Sequence, residues 1–281
     1  MKPYFGVLGG DRRQSELARL LRQDGHTVYT WGLEAWGESG ALEETESAQT
    51  VILPLPVRDG DGRFNCTGLQ VQPEALLERF RPGQMLLAGK VDAALAERAA
   101  SRGLTLVDYF AREELTVANA AITAEGAIQV AMEHLDRTLL GMDCLVMGLG
   151  RIGTLLCRRL QGLGAHVWAF ARRPESRAWA AACGYAAVRP DDLAEELGHF
   201  PVVFNTIPSL ILDEALLRRL PAGCLCVELA SVPGMDLAAA ESLGHTAVWA
   251  RSLPGKLAPV TAAAAIRDTV YHILEERGDS V

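Results

Sequence analysis

Three glycines at fixed spacing are the residues in this chain most able to do chemistry: Gly148-Leu149-Gly150-Arg151-Ile152-Gly153. Such a turn cradles phosphate when a buried strand leads in and a helix leads out. Both flanks are present. Cys144 to Met147 is an apolar run of strand length, and Ile152, Leu155, Leu156 and Leu160 recur at helical spacing. Gly148 suits the tight turn, Gly150 lets backbone approach a pyrophosphate, and Gly153 lets the helix pack close on its strand. Backbone N–H groups of the first turn, from Arg151 and Ile152 onward, then face phosphate oxygens. The simpler reading, in which the glycines only punctuate an α/β turn, is weakened by the strand that comes next in the chain.

That strand, Ala165 to Phe170, runs into Ala171-Arg172-Arg173. A fold selective for NAD usually carries an acidic residue here, which grips the ribose 2′-hydroxyl. None stands there. Planar, charged Arg172 and Arg173 suit a 2′-phosphate instead, so the expected cofactor is NADP(H); the bland alternative is a solvated arginine pair. Further along, Val202-Val203-Phe204 ends in Asn205-Thr206-Ile207-Pro208, and Leu225 to Leu229 leads to Ser231. Asn205, Thr206 and Pro208 are candidate cofactor contacts at a strand end, and Ser231 a candidate substrate contact, although turn residues near proline need no ligand.

The elements that position these residues form a two-part pattern. Lys2 to Leu8 reads as a strand, followed by Gly9-Gly10-Asp11-Arg12-Arg13 and a helix presenting Leu17, Leu20 and Leu21. The full glycine fingerprint is missing, so an anionic small molecule is expected there rather than a dinucleotide, with Arg12 and Arg13 as its cations. Solvated first-turn arginines are the competing reading. Lys90 sets another cation directly after a strand. Asn119 to Gly126 opens a long helix, with Thr123 as expected N-cap and Glu125 in its first turn. Repeated strand–helix alternation predicts an α/β protein with two Rossmann-like, doubly wound parallel sheets joined by long helices. The expected division is an N-terminal substrate-side domain over 1–118, a connecting helix over 119–140 and a cofactor domain over 141–258. A final helix over 259–281 is expected to return to the first domain, with Lys256 at the hinge.

Composition narrows the class. A 281-residue chain that is 49% hydrophobic can fill two cores, and a formal charge of −8 disfavours a nucleic-acid surface. No apolar run reaches spanning length and no cleavable leader is apparent, so a soluble, unexported protein is expected. The six cysteines lack zinc-ligand spacing; no metal is expected, and reduced thiols filling cores fit a cytoplasmic setting.

At Gly9-Gly10-Asp11-Arg12-Arg13-Gln14, Asn119 to Gly126, the glycine turn, Asn205-Thr206-Ile207-Pro208 and Pro254-Gly255-Lys256-Leu257-Ala258-Pro259, the chain resembles the A subunits of dipicolinate synthase, a family of bacterial sporulation proteins. The resemblance covers nearly the whole chain; Leu257 stands where the family pattern has Val. It implies oxidation of dihydrodipicolinate to dipicolinate with NADP+, on the diaminopimelate/lysine branch, in the mother-cell cytoplasm of a spore former. It also implies a partner, the flavoprotein-like B subunit, and leaves homo-oligomerisation open. A dicarboxylate substrate calls for cations, for which Arg12, Arg13, Lys256 and Lys90 are nominated; Asp11, Glu125 or water could take the proton. Lys256, Asp11 and Glu125 are therefore the catalytic candidates. Two other readings stay open: a different two-domain NADP-dependent hydroxy-acid or amino-acid dehydrogenase, and a non-catalytic NADP(H)-binding subunit. Against the hydroxy-acid version, His245 follows a glycine at a strand start, as surface residues do.

Overall fold

The structure, a computed structural model, describes residues 4–38 and 40–278. Lys2 and Pro3 of the expected first strand, and residues 279–281 of the expected last helix, lie outside the described residues. Contacts divide the chain into one unit of residues 1–119 with 254–281 and a second of 120–253.

In the first unit the order is β1 (Tyr4–Leu8), α1 (Arg12–Gln23), β2 (Thr27–Trp31), α2 (Leu42–Glu46), β3 (Thr50–Ile52), α3 (Pro73–Leu77), β4 (Met85–Ala88), α4 (Ala93–Ser101) and β5 (Thr105–Asp108). The five strands are all parallel in the order β2-β1-β3-β4-β5. The direction of winding reverses between β1 and β3, where ligands of open α/β sheets gather beyond the carboxyl ends. Alternate strand residues feed two cores, Phe5, Val7, Ile52 and Leu87 on one face and Leu8, Val51, Leu86 and Ala88 on the other. Both faces are covered, which is why these strands read as continuous apolar runs.

Helix α5 (Glu113–His134) leads from the first unit into the second. It starts six residues before the expected Asn119 and ends at His134 rather than 140. Thr123 is therefore no N-cap: it lies mid-helix and buried, and the acidic first turn belongs to Glu113 and Glu114. The helix is apolar enough over 18 residues to match a membrane span in composition, but half of that window is buried in protein. Leu115 enters a core of the first unit, and Ala124, Ala127, Ile128 and Ala131 enter one of the second.

The second unit contains β6 (Asp143–Met147), α6 (Arg151–Gly162), β7 (His166–Phe170), α7 (Pro174–Ala182), β8 (Ala186–Val188), α8 (Leu193–Glu196), β9 (Val202–Asn205), α9 (Glu214–Leu217), β10 (Leu225–Glu228), α10 (Leu237–Ser242) and β11 (Thr246–Trp249). Its sheet order is β11-β10-β9-β6-β7-β8, all parallel, the doubly wound dinucleotide-binding order. The reversal falls between β6 and β9, the strands that end at Met147 and Asn205. Cys144, Cys157, Cys224 and Cys226 are buried in this unit; burial pushes the Cys144 and Cys157 thiols up to about 12, so they act as apolar filler.

After the second sheet, α11 (Leu253–Leu257) leads to α12 (Pro259–Glu276), which lays Ala263, Ile266, Val270 and Ile273 into the first unit's core against α1. Arg112 fastens its far end, donating to Glu276 at 2.5 and 2.8 Å.

Candidate functional site

The glycine turn sits at the switch point of the second sheet. Gly148 has φ +93°, a conformation that excludes most side chains, and its N–H donates to Phe170 at 2.9 Å. A Cβ on Gly153 would stand 1.9 Å from the Gly148 carbonyl oxygen, so only glycine lets α6 start this close to its strand. Gly150 differs: nothing lies within 4 Å of where its Cβ would be, and no side chain caps the first turn of α6. That open, uncapped helix start fits the pyrophosphate of a dinucleotide. Arg151 and Ile152 occupy that first turn, Arg151 exposed.

Past β7, Arg172 and Arg173 are both exposed. Arg177 shapes their loop, donating to the carbonyls of Ala171 at 3.0 Å and Arg172 at 2.6 Å. Arg173 pairs with Glu175 at 3.6 Å. Arg172 and Arg173 therefore follow Ala171 just past the end of β7, with no carboxylate between β7 and Arg173.

The Asn205 and Thr206 side chains have work inside the protein. Thr206 Oγ1 donates to Met147 at 2.9 Å and pins the glycine turn from behind. Asn205 is fully buried; its amide donates to Ile207 at 3.0 Å and to both oxygens of Glu228, at 3.0 and 2.9 Å. The Asn205 amide, expected to touch cofactor, is committed to these protein acceptors. Pro208 and Ser231 are exposed on the two neighbouring loops. Glu228 has no exposure and also accepts from the N–H groups of Ala230, Gly234 and Met235. Burial pushes its carboxyl upward, against the pull of those donors.

In the first unit the β1–α1 turn is closed. Gly9 and Gly10 donate to Trp31 at 2.8 Å and Asn65 at 2.6 Å, so their N–H groups cradle nothing. Asp11 caps α1 and grips Arg13 through both oxygens, at 2.9 and 2.8 Å, while Arg13 also donates to Leu55 at 2.5 Å. With 6% exposure and these three acceptors Arg13 is tied into the protein, while the Asp11 side chain keeps 31% of its surface open. Arg12 projects outward beside Glu16 at 3.8 Å. Lys90 holds the unusual φ of +58° because Asp108 accepts its N–H and that of Val91, and its ammonium lies 5.7 Å from the Phe110 ring centre. Lys256 is exposed on α11, whose Gly255 passes so near that a Cβ would sit 2.7 Å from Asp11 Oδ2. Glu125 is exposed in mid-helix and paired with Arg159 at 3.2 Å. His245 is buried rather than superficial, its Nε2 3.0 Å from the Leu217 oxygen.

Residues 4–110 match the N-terminal domain of the dipicolinate synthase A subunit, and residues 96–230 match the NAD-binding domain of D-isomer specific 2-hydroxyacid dehydrogenases. The chain is 31% identical to the dipicolinate synthase A subunit of Bacillus subtilis strain 168, over 97% of this chain and 96% of that one. It belongs to the family of dipicolinate synthase A subunits. Crystal structures of family members from Bacillus halodurans and Bacillus subtilis superpose with TM-scores of 0.85 and 0.83 at 28% and 31% identity, each over at least 97% of both chains. Like its dehydrogenase relatives, this member of the A-subunit family carries a nicotinamide-dinucleotide domain and is an oxidoreductase of dehydrogenase type.

Sequence reasoning missed Glu228, Arg177 and Trp249 in this family member. Trp249 donates to Ala230 at 3.0 Å and stacks under Arg251, 4.5 Å from guanidinium carbon to ring centre. A glutamate closing an apolar strand, at Leu225-Cys226-Val227-Glu228, was the available signal, since a charge at the end of a fully buried strand must find donors.

Proposed function

We propose that the chain is the A subunit of a dipicolinate synthase that oxidises dihydrodipicolinate to dipicolinate with NADP+, in the mother-cell cytoplasm of a sporulating bacterium and beside a B subunit. The observation that carries the cofactor half is the loop after β7, where two exposed arginines replace the carboxylate that would favour NAD. The substrate half rests on 31% identity across nearly the whole of both chains.

The bound nicotinamide supplies one chemical service, acceptance of a hydride from the dihydropyridine ring. The chain does the rest. The Gly148–Gly153 turn and the start of α6 hold the pyrophosphate, and Arg172 and Arg173 pair with the 2′-phosphate through charge-assisted bonds. Arg12, Lys90 and Lys256 remain as exposed cations of the first unit for the two substrate carboxylates. Because loss of a hydride and a proton leaves an aromatic ring, the product's resonance drives the reaction, and orientation is the main task left to the protein. Asp11, Glu125 or a water takes the ring proton.

An absorbance assay with freshly generated dihydrodipicolinate, NADP+ or NAD+, and the B subunit present or omitted tests this reading. NADPH and dipicolinate forming together, faster with NADP+ than with NAD+, is the expected result. Measurable NADPH binding without product under any of these conditions would reduce the chain to a nucleotide-binding subunit.

A further inference from the structure

We propose that Glu228 is a positioning residue that shapes the nicotinamide half of the cofactor site. The inference rests on the nicotinamide-dinucleotide reading above and extends it to a residue that touches no ligand. In the parallel register Glu228 lies opposite Asn205, so the two side chains meet where β9 and β10 end. One carboxylate then joins the loop after β9 to the loop after β10. It accepts from Asn205, whose amide also holds Ile207 O and N at 3.0 and 3.1 Å, and from Ala230, Gly234 and Met235 at 2.8, 2.8 and 3.1 Å.

The two loops are further interlocked at Gly234. Its carbonyl accepts from Ile211 and Leu212 at 2.9 and 3.1 Å, and a Cβ there would stand 2.3 Å from Ile207 O and 2.5 Å from Asn205 Nδ2. Trp249 ties in a third strand end through Ala230. What this clamp holds outward is small or apolar: Pro208, Leu210, Ser231 and Val232, with Leu210 63% and Val232 58% exposed. With the pyrophosphate at the β6–α6 turn and the adenosine end toward β7, the rest of a dinucleotide runs over β9 and β10. A flat, amide-bearing ring is the moiety such a rim receives. Glu228 is buried with no cation paired to it among the described residues, which is costly unless every oxygen is satisfied; here a side-chain amide and three backbone N–H groups satisfy them.

The test compares two ligands on wild type and E228Q. NADPH spans the whole site; 2′-phospho-ADP-ribose lacks the nicotinamide and reports the adenosine and pyrophosphate half. In E228Q one of the two acceptor oxygens becomes an amide donor that faces backbone donors, so the loops keep a single shared acceptor oxygen where they had two. NADPH affinity is expected to fall at least tenfold and the change in NADPH fluorescence on binding to disappear, while 2′-phospho-ADP-ribose binds within twofold of wild type. Equal loss of both ligands, or unchanged NADPH binding, overturns the role of Glu228 and leaves the cofactor reading standing. Wild type that binds neither ligand overturns both. N205A, which removes one donor and spares the carboxylate, is expected to show the same split at smaller size, and serves if E228Q does not fold; equal loss of both ligands there also overturns the proposal.

Discussion

Arg13 and Arg172 carry the same guanidinium to opposite ends. Arg13 lies two residues after Asp11, which caps α1 and so faces back along the first turn; the pair closes on itself and the Arg13 side chain is buried. Arg172 follows β7 with its carbonyl tied by Arg177 and its side chain exposed without a protein partner among the described residues. A charge-assisted bond to phosphate contributes about 1.5–3 kcal/mol. Replacing Arg172 and Arg173 together by alanine is therefore expected to weaken NADP+ binding by about 10–100-fold and leave NAD+ within about threefold. Titration calorimetry with both nucleotides checks this; equal weakening of the two would mean that the arginines hold something other than the 2′-phosphate. Asp-x-Arg at the start of a helix was legible as a local pair in the sequence, and weighing it would have separated Arg13 from Arg12.

Among elements, the segment between β3 and α3 shows how a loop is held over a strand end. Arg58 donates to Glu74 at the start of α3 and, at 2.5 Å, to Asp92, the N-cap of α4, while Asn65 accepts from Gly10. Hydrogen bonds from Arg58 lower both carboxyls below their usual range. Carboxyls depressed in the folded state contribute stability above their unfolded values, near 4, and that contribution is lost as pH falls through the folded values. Both carboxylates are about a third or more exposed, so solvent screens the network and its worth is small. R58A is expected to cost about 1 kcal/mol at pH 7 and clearly less at pH 3 in urea unfolding. A cost that stays constant or grows toward pH 3 contradicts the assignment.

For the whole molecule, how much could be read in advance depended on range. The glycine turn and both sheets were legible because a strand, a turn and a helix face repeat within some twenty residues. Asn205 and Glu228 were not, because they stand 23 residues apart and meet only through the β9–β10 register. The start of α5 was misplaced because Thr123 followed by Glu125 imitates a cap, while the true first turn, at Glu113 and Glu114, lacks one of the preferred capping residues before it. Lys90 needed tertiary knowledge as well: its left-handed backbone is imposed by Asp108, from the neighbouring strand β5.

The most direct test of the central claim is isotope transfer. Dihydrodipicolinate deuterated at its saturated ring positions is incubated with NADP+ and the protein, with the B subunit supplied if turnover requires it, and the reduced nucleotide is examined by mass spectrometry. Hydride transfer predicts one deuterium in NADPH for each dipicolinate formed. Dipicolinate appearing with unlabelled NADPH, or with no NADPH at all, would contradict the account.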